Sequence, residues 1–318
     1  MHTIIRLMFI AAALIGAGVA DAADRVRVAK PQGNVWTFLP LDVGVEQKLF
    51  AREGLEIEAA DMGGDARVQQ ALAAGSVEFG IGSGPGMAFA AKGAPAMAVA
   101  AFAGPPRNIS AIVLDDSPFR QIADLKGKKI AVSTAGSLSD WLAKQMAIQE
   151  GWGQDGIQVV PLGAIQTSIA ALKTRQVDAV VLATEAGFRL EEQKQGRVLA
   201  TMDRYAPHFI THVVFAQKSL ITNNPDLVTR FLRGFFAAIA FVKTHKEETS
   251  ALAEQVLQWS PALARKVYDM QSGMFIDDGR FEPRAIATLK QSFIDMKTLR
   301  SEPADDELFA PQFVPIRR

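Results

Sequence analysis

Residues 71–80 read ALAAGSVEFG and residues 171–180 read ALKTRQVDAV, the end of a helix, a turn and the start of a buried strand, written twice one hundred residues apart. The likeness extends upstream. Residues 25–33 (RVRVAKPQG) and 128–136 (KKIAVSTAG) both start basic, become a short β-rich run and break at a glycine. A helical period follows in each copy, through Val45, Leu49 and Phe50 in the first and Leu138, Trp141, Leu142, Gln145 and Met146 in the second. Gly54 stops the first helix, and Gly151 or Gly153 the second. Alternation over 55–59 and 157–160 predicts a second strand, and residues 77–81 and 177–181 a third. The three strands recur at offsets of 103, 102 and 100 residues.

Each copy is therefore a β-α-β-α-β unit, which makes parallel strands joined by right-handed crossovers with helices on both faces. Two units imply two similar α/β lobes; the alternative is one doubly wound sheet containing both. Further strands at 109–114 and 212–216, flanking the second copy, favour two bodies, with the chain leaving the first lobe near residue 114 and re-entering near 215. The expected partition is a leader over 1–22, a first lobe of 24–114 plus 215–318, and an inserted second lobe of 115–214. The last hundred residues read as helical, with starts at Asn224-Pro225, Ser260-Pro261 and Glu282-Pro283, and an irregular tail carrying four prolines.

The leader joins Arg6 to an apolar run, LMFIAAALIGAGV, and a small-x-small site, Ala20-Asp21-Ala22. That is the pattern of a cleaved secretory signal peptide; the run is shorter than the roughly 20 residues a membrane helix needs. Cysteine is absent, which removes thiolate nucleophiles and cysteine-held metals, and a chain of 318 residues can build its core without disulfides. Lys plus Arg and Asp plus Glu are both 34, so there is no overall basic charge to draw the chain to nucleic acid.

Leu41 to Glu56 with its Phe50-Ala-Arg-Glu-Gly-Leu-Glu, the phrase at 71–80, Asp124-Leu-Lys-Gly-Lys-Lys-Ile130-Ala-Val132, and Ala171-Leu…Val177-Asp178-Ala179 form an ordered set. Across about residues 25–245 this set resembles periplasmic solute-binding proteins of the nitrate/taurine (sulfonate) class that serve ABC importers, within the thiamine-pyrimidine synthase-like superfamily. The resemblance implies a two-lobed periplasmic binding protein fold, each lobe a β-sheet flanked by helices, with two hinge crossovers and a helical C-terminal segment. It implies a monomer in the periplasm with a small-molecule ligand between its lobes, no cofactor, and an ABC permease in the inner membrane as partner. A ligand sensor for a membrane receptor is the alternative. The pyrimidine-synthase branch works with a cysteine-rich motif, which this chain lacks.

In open α/β sheets the ligand lies beyond the C-terminal ends of the strands. Those ends are Lys30, Asn34, Trp36 and Phe38 after strand one; Ser83, Gly84 and Pro85 after strand three; Thr134, Gly136, Ser137 and Ser139 in the second copy; and Glu185 after its last strand. Gly84 and Gly136 would let backbone N–H groups approach a ligand, and the hydroxyls add donors or merely cap helices. Trp36 and Phe38 either wall the cleft or fill the core. Glu185 meets a ligand amine or hydroxyl, or a structural partner. Lys30 pairs an anion or stays solvated, and His208 and His212 read as core or surface. Neither serine loop carries Lys or Arg, which favours an organic ligand (a sulfonate, a carboxylate or a heteroaromatic) over a small hydrated anion such as nitrate.

Enzyme signatures fail. GIGSGPG at 80–86 has Pro85 or Met87 where a dinucleotide fingerprint needs its third glycine, and Ile81 where a nucleophile elbow needs its first.

Overall fold

The computed structural model describes residues 23–33 and 35–317. The leader and Asn34 lie outside them. Among the described residues, ten strands form two five-stranded sheets of identical plan. The first contains β1 (Asp24–Lys30), β2 (Leu55–Asp61), β3 (Phe79–Ser83) and β4 (Ala96–Ala103). The second contains β5 (Ile109–Leu114), β6 (Lys129–Val132), β7 (Gln158–Pro161), β8 (Ala179–Ala183) and β9 (Gly196–Thr201); β10 (His212–Gln217) returns to the first. The orders are β2-β1-β3-β10-β4 and β7-β6-β8-β5-β9. The fold is α/β, two mixed sheets flanked by helices with a helical C-terminal segment, and the single-sheet alternative is excluded.

The duplication reaches individual hydrogen bonds. Glu78 accepts from the backbone N–H of Arg27 at 2.8 Å, and Asp178 accepts from that of Lys129 at 2.9 Å. The acid before the third strand thus clamps the first strand in both lobes, which explains the Val-Glu/Val-Asp match. The helix before it ends in a left-handed residue each time, Gly75 at φ 70° and Arg175 at φ 57°.

The strand 109–114 sits elsewhere than expected. It pairs antiparallel with β8 and β9, so the chain crosses to the second lobe between Ala103 and Ile109, before this strand and not after it. Likewise β10 starts at His212 and pairs antiparallel with β3 and β4, so the return crossing lies between Thr201 and His212. Each crossing delivers the antiparallel strand that completes the sheet it enters.

The C-terminal helices form where the proline signals put them. Asn224 Oδ1 accepts from Leu227 N at 3.2 Å and starts the helix Pro225–Thr244. Its buried face packs on the first sheet, with Phe231 stacked 4.0 Å from Phe79. Ser260 caps Pro261–Gln271, and Glu282 caps Pro283–Asp295. No helix among the described residues is long and apolar enough to cross a membrane.

The proline-rich tail has a definite job. Ala310 N donates to Ala98 O at 2.8 Å and Phe309 forms a parallel bridge to Ala98, which covers the part of the β4 edge that residues 274–279 leave open. Leu308 is fully buried, and Phe309 stacks on Phe281 at 4.2 Å. A chain ending at residue 303 should lose about 3 kcal/mol or more, since two large apolar side chains are each worth about 1.5–3 kcal/mol when buried. Urea unfolding measures the loss, and size-exclusion chromatography should show edge-driven self-association.

Candidate ligand-binding cleft

The loops that follow the strands of both sheets face one cavity of about 520 Å³. Lobe one contributes Phe38, Asp65, Ser83, Pro85, Gly86 and Phe89; lobe two contributes Ser133, Gly136 to Ser139, Gly163 to Ile165 and Glu185; the crossings contribute Asn108 and His212. A second, outer groove of about 590 Å³ shares Gln32, Val35, Ile165, Ala183 and Glu185 with it.

In lobe two the three hydroxyls of Ser133, Ser137 and Ser139 lie within 3.1 Å of one another. Ser137 caps the helix Leu138–Gln149 by accepting from Asp140 N at 3.3 Å, and Ser139 Oγ accepts from Ser133 N at 3.0 Å. The cluster is thus both a cap and a wall of the cavity. The helix tip also carries its own anion: buried Asp140 accepts from Gly136 N at 2.7 Å and pairs with Lys144 at 2.9 Å.

Several expected site residues take other roles. Lys30 is buried and held by Asp42 at 3.1 Å and Asp61 at 3.7 Å. Trp36 is in the core, stacked on Trp259 and edge-on to Tyr268, because the buried loop after β1 turns its indole away from the cavity. Gly84 is needed for packing: its N–H donates to Thr211 O at 2.7 Å, and a Cβ there would stand 2.0 Å from the Ile210 carbonyl oxygen. Thr134 is exposed and lies outside the lining. Phe38, Ser83, Pro85, Gly136, Ser137, Ser139 and Glu185 do line the cavity.

Glu185 stands in the first turn of the helix Thr184–Glu192, 6 % exposed. Gln271 Nε2 donates to it at 3.3 Å and the Trp36 backbone N–H also reaches it, so it links the lobes. Burial pushes its carboxyl up, against the backbone donors, Gln271 and the charge of Arg189.

Two residues of the cavity, Asp65 and Asn108, escaped the sequence reading, and a third, His212, was read there as core or surface. Asp65 opens the helix Asp65–Ala73 and accepts from Ser83 N at 2.9 Å. Burial raises it too. A Cβ on Gly82 would stand 2.9 Å from Asp65 Oδ1, so glycine at 82 is what lets the carboxylate lie along β3. Asn108 donates to Thr37 Oγ1 at 3.3 Å while its buried Oδ1 has no partner among the described residues. His212 packs edge-on to Phe38 at 5.3 Å, and its Nδ1 is likewise unpartnered. Applying the strand-end rule to strand two, at Gly63-Gly64-Asp65, would have found Asp65; Asn108 and His212 needed the antiparallel strands.

Two α/β lobes with one cavity between them, entered by the strand ends of both, define the periplasmic binding protein fold. The chain belongs to the NMT1/THI5-like family, whose profile matches residues 36–249. A protein of Brucella abortus (strain 2308) named as a binding protein is 26% identical over 218 residues, 68% of this chain. The match spans 66% of that relative's length, just under two thirds. The structure of the periplasmic aliphatic sulphonate binding protein SsuA from Escherichia coli superposes with a TM-score of 0.77 at 20% identity, covering 90% of this chain and 92% of SsuA. The desulfurization enzyme DSZB shares the fold as well, at a TM-score of 0.66 and 17% identity over 91% of this chain and 97% of that one.

His212 gives a test of the cleft's dryness. Burial alone lowers its pKa to about 3, so the folded chain keeps it neutral where the unfolded chain protonates it. A depressed histidine costs stability as pH falls through the unfolded value near 6.5, with a slope of up to about 1.4 kcal/mol per pH unit. His212→Gln should therefore match the wild type above pH 7 and overtake it progressively between pH 6.5 and 4, read from urea midpoints.

Proposed function

We propose that this chain is the extracytoplasmic solute-binding component of an ABC importer, capturing a small organic ligand between its lobes. The observation that carries the reading is the convergence of strand ends from both sheets on one cavity, with polar groups from each lobe on its walls. A ligand touching Ser83 in one lobe and Ser137 in the other stabilises the closed form and so reports its own capture. The leader sequence, the family and the likeness to SsuA support export to the periplasm and delivery to a membrane permease, with the binding protein acting as a monomer. The enzyme reading, admitted by the shared fold of DSZB, has less support. A cysteine nucleophile is ruled out by composition, and the hydroxyls of Ser133, Ser137 and Ser139 bond to one another and not to a side-chain base.

The test is a thermal-shift screen of the purified mature chain against sulfonates, aromatic acids, amines, nucleobases and nitrate. A true ligand at 100 times its Kd should stabilise by about 2.7 kcal/mol and reduce the radius of gyration by small-angle scattering. Ser137→Leu fills the cavity wall and removes the cap of the helix Leu138–Gln149, so the apo chain should fold but be destabilised by about 0.5–2 kcal/mol, and both responses to ligand should be abolished. Retained affinity in that variant would rule the cleft out.

A further inference from the structure

Three helices of eight or more residues point their first turns at the cavity with an acid built in: Asp65 in Asp65–Ala73, Asp140 in Leu138–Gln149 and Glu185 in Thr184–Glu192. A helix N-terminus left open is an anion site. Here each tip is already supplied with a carboxylate. Asp140 is spent inside the protein on Gly136 N and Lys144. Asp65 and Glu185 line the inner cavity from opposite lobes, and among the described lining residues there is no Lys or Arg. Lys173 and Arg189 are exposed and line the outer groove, from which the charge of Arg189 reaches Glu185 without entering the inner cavity's lining.

A second, independent observation points the same way. Asn108 is 8 % exposed, lines the inner cavity, and its Oδ1 has no donor among the described residues; its own amide is committed to Thr37. A buried carbonyl oxygen without a donor is destabilising, and a ligand N–H that reaches it recovers that loss. The wall therefore offers acceptors, two carboxylates and a carbonyl, to something that brings hydrogens and positive charge. The serine hydroxyls can serve either sign, since each both donates and accepts.

Resting on the solute-capture reading, we propose that the ligand is an organic cation, a protonated amine or amidinium, whose charged end lies between Asp65 and Glu185 with the rest of the molecule against Phe38 and Phe89. Phe89 fits the second role: it is 39 % exposed, among the most exposed large apolar side chains of the chain, and it sits on the cavity wall. Asp65 and Glu185 are then the specificity-determining residues, and the cleft rejects the oxyanions that an open helix tip would accept.

The experiment is isothermal titration and thermal shift of the mature chain with matched probes: benzamidinium against benzamide and benzoate, and histamine, putrescine and spermidine against taurine and ethanesulfonate. The expected result is binding by at least one cation and by none of the anions, with Asp65→Asn and Glu185→Gln each weakening that cation tenfold or more. Since Asp65→Asn also alters the bond to Ser83 N, Glu185→Gln is the variant that decides if the first does not fold. An anion that binds better than every cation, or a cation whose affinity survives both substitutions, overturns the proposal. If an anion binds and Ser137→Leu abolishes it, the capture reading stands and only the cation assignment falls; if no probe of either sign binds, the cation assignment falls and the wider screen alone decides the capture reading.

Discussion

The antiparallel strand that each crossing inserts into a sheet is the constraint on which the cleft depends. β10 pairs His212 with Ser83, and β5 pairs Ile109 with Ala183. An antiparallel strand begins where its parallel neighbour ends, so the first residue of each crossing strand sits on the rim that the strand ends already define. The hinges and the ligand cavity are thereby forced to be adjacent. His212 and Asn108 belong to the site because of this register, and any rotation of the lobes about the crossings is felt first by the side chains on that rim.

The repeat made most of the architecture legible from residues alone. Two copies of a β-α-β-α-β phrase leave few topologies once crossovers must be right-handed, and the proline-capped helices 225–244, 261–271 and 283–295 carry their boundaries in their first residues. What could not be read was which sheet takes a strand lying at a crossing. Residues 109–114 are mostly apolar, which suits either sheet; only pairing with β8 and β9 decides it. The site was legible in the serine loop and Glu185 for the same reason, strand ends. Lys30 and Gly84 depart from that expectation and Trp36 takes the core alternative, because these loop residues are committed to Asp42, the Ile210 carbonyl and Trp259, partners distant in sequence. Spacing shows that a group lies at a strand end; it does not show whether the core has claimed it first.

Gly80, Gly82 and Gly84 illustrate how a motif can look chemical and be steric. Their spacing of two places the first and second on the face of β3 that meets the helix Asp65–Ala73, where a Cβ on either would strike Val68 or Asp65. The helix can therefore press onto the strand, and its first residue, Asp65, arrives at the cavity wall. The glycines shape the site by allowing close approach of an element that carries the chemistry, without touching a ligand themselves.

The contacts between the lobes are of two kinds, and their difference bears on closure. Around the helix 261–271, Lys266 pairs with Glu191 and Ser260 donates to Glu192 at 2.5 Å, both on the exposed surface, where such pairs contribute about 0–1 kcal/mol. At the cavity, Glu185 is fully enclosed and accepts from Gln271 and the Trp36 backbone, while Gln271 Oε1 is left without a donor among the described residues. The surface pairs break and reform at little cost, so they set no preferred angle. The buried carboxylate does: enclosing it is unfavourable, and burial raises its pKa more than the backbone donors, Gln271 and the charge of Arg189 lower it. On the proposed reading, a cation placed beside Glu185 offsets that penalty where the carboxylate is enclosed between the lobes, which is the differential affinity that a hinge needs in order to respond to its ligand.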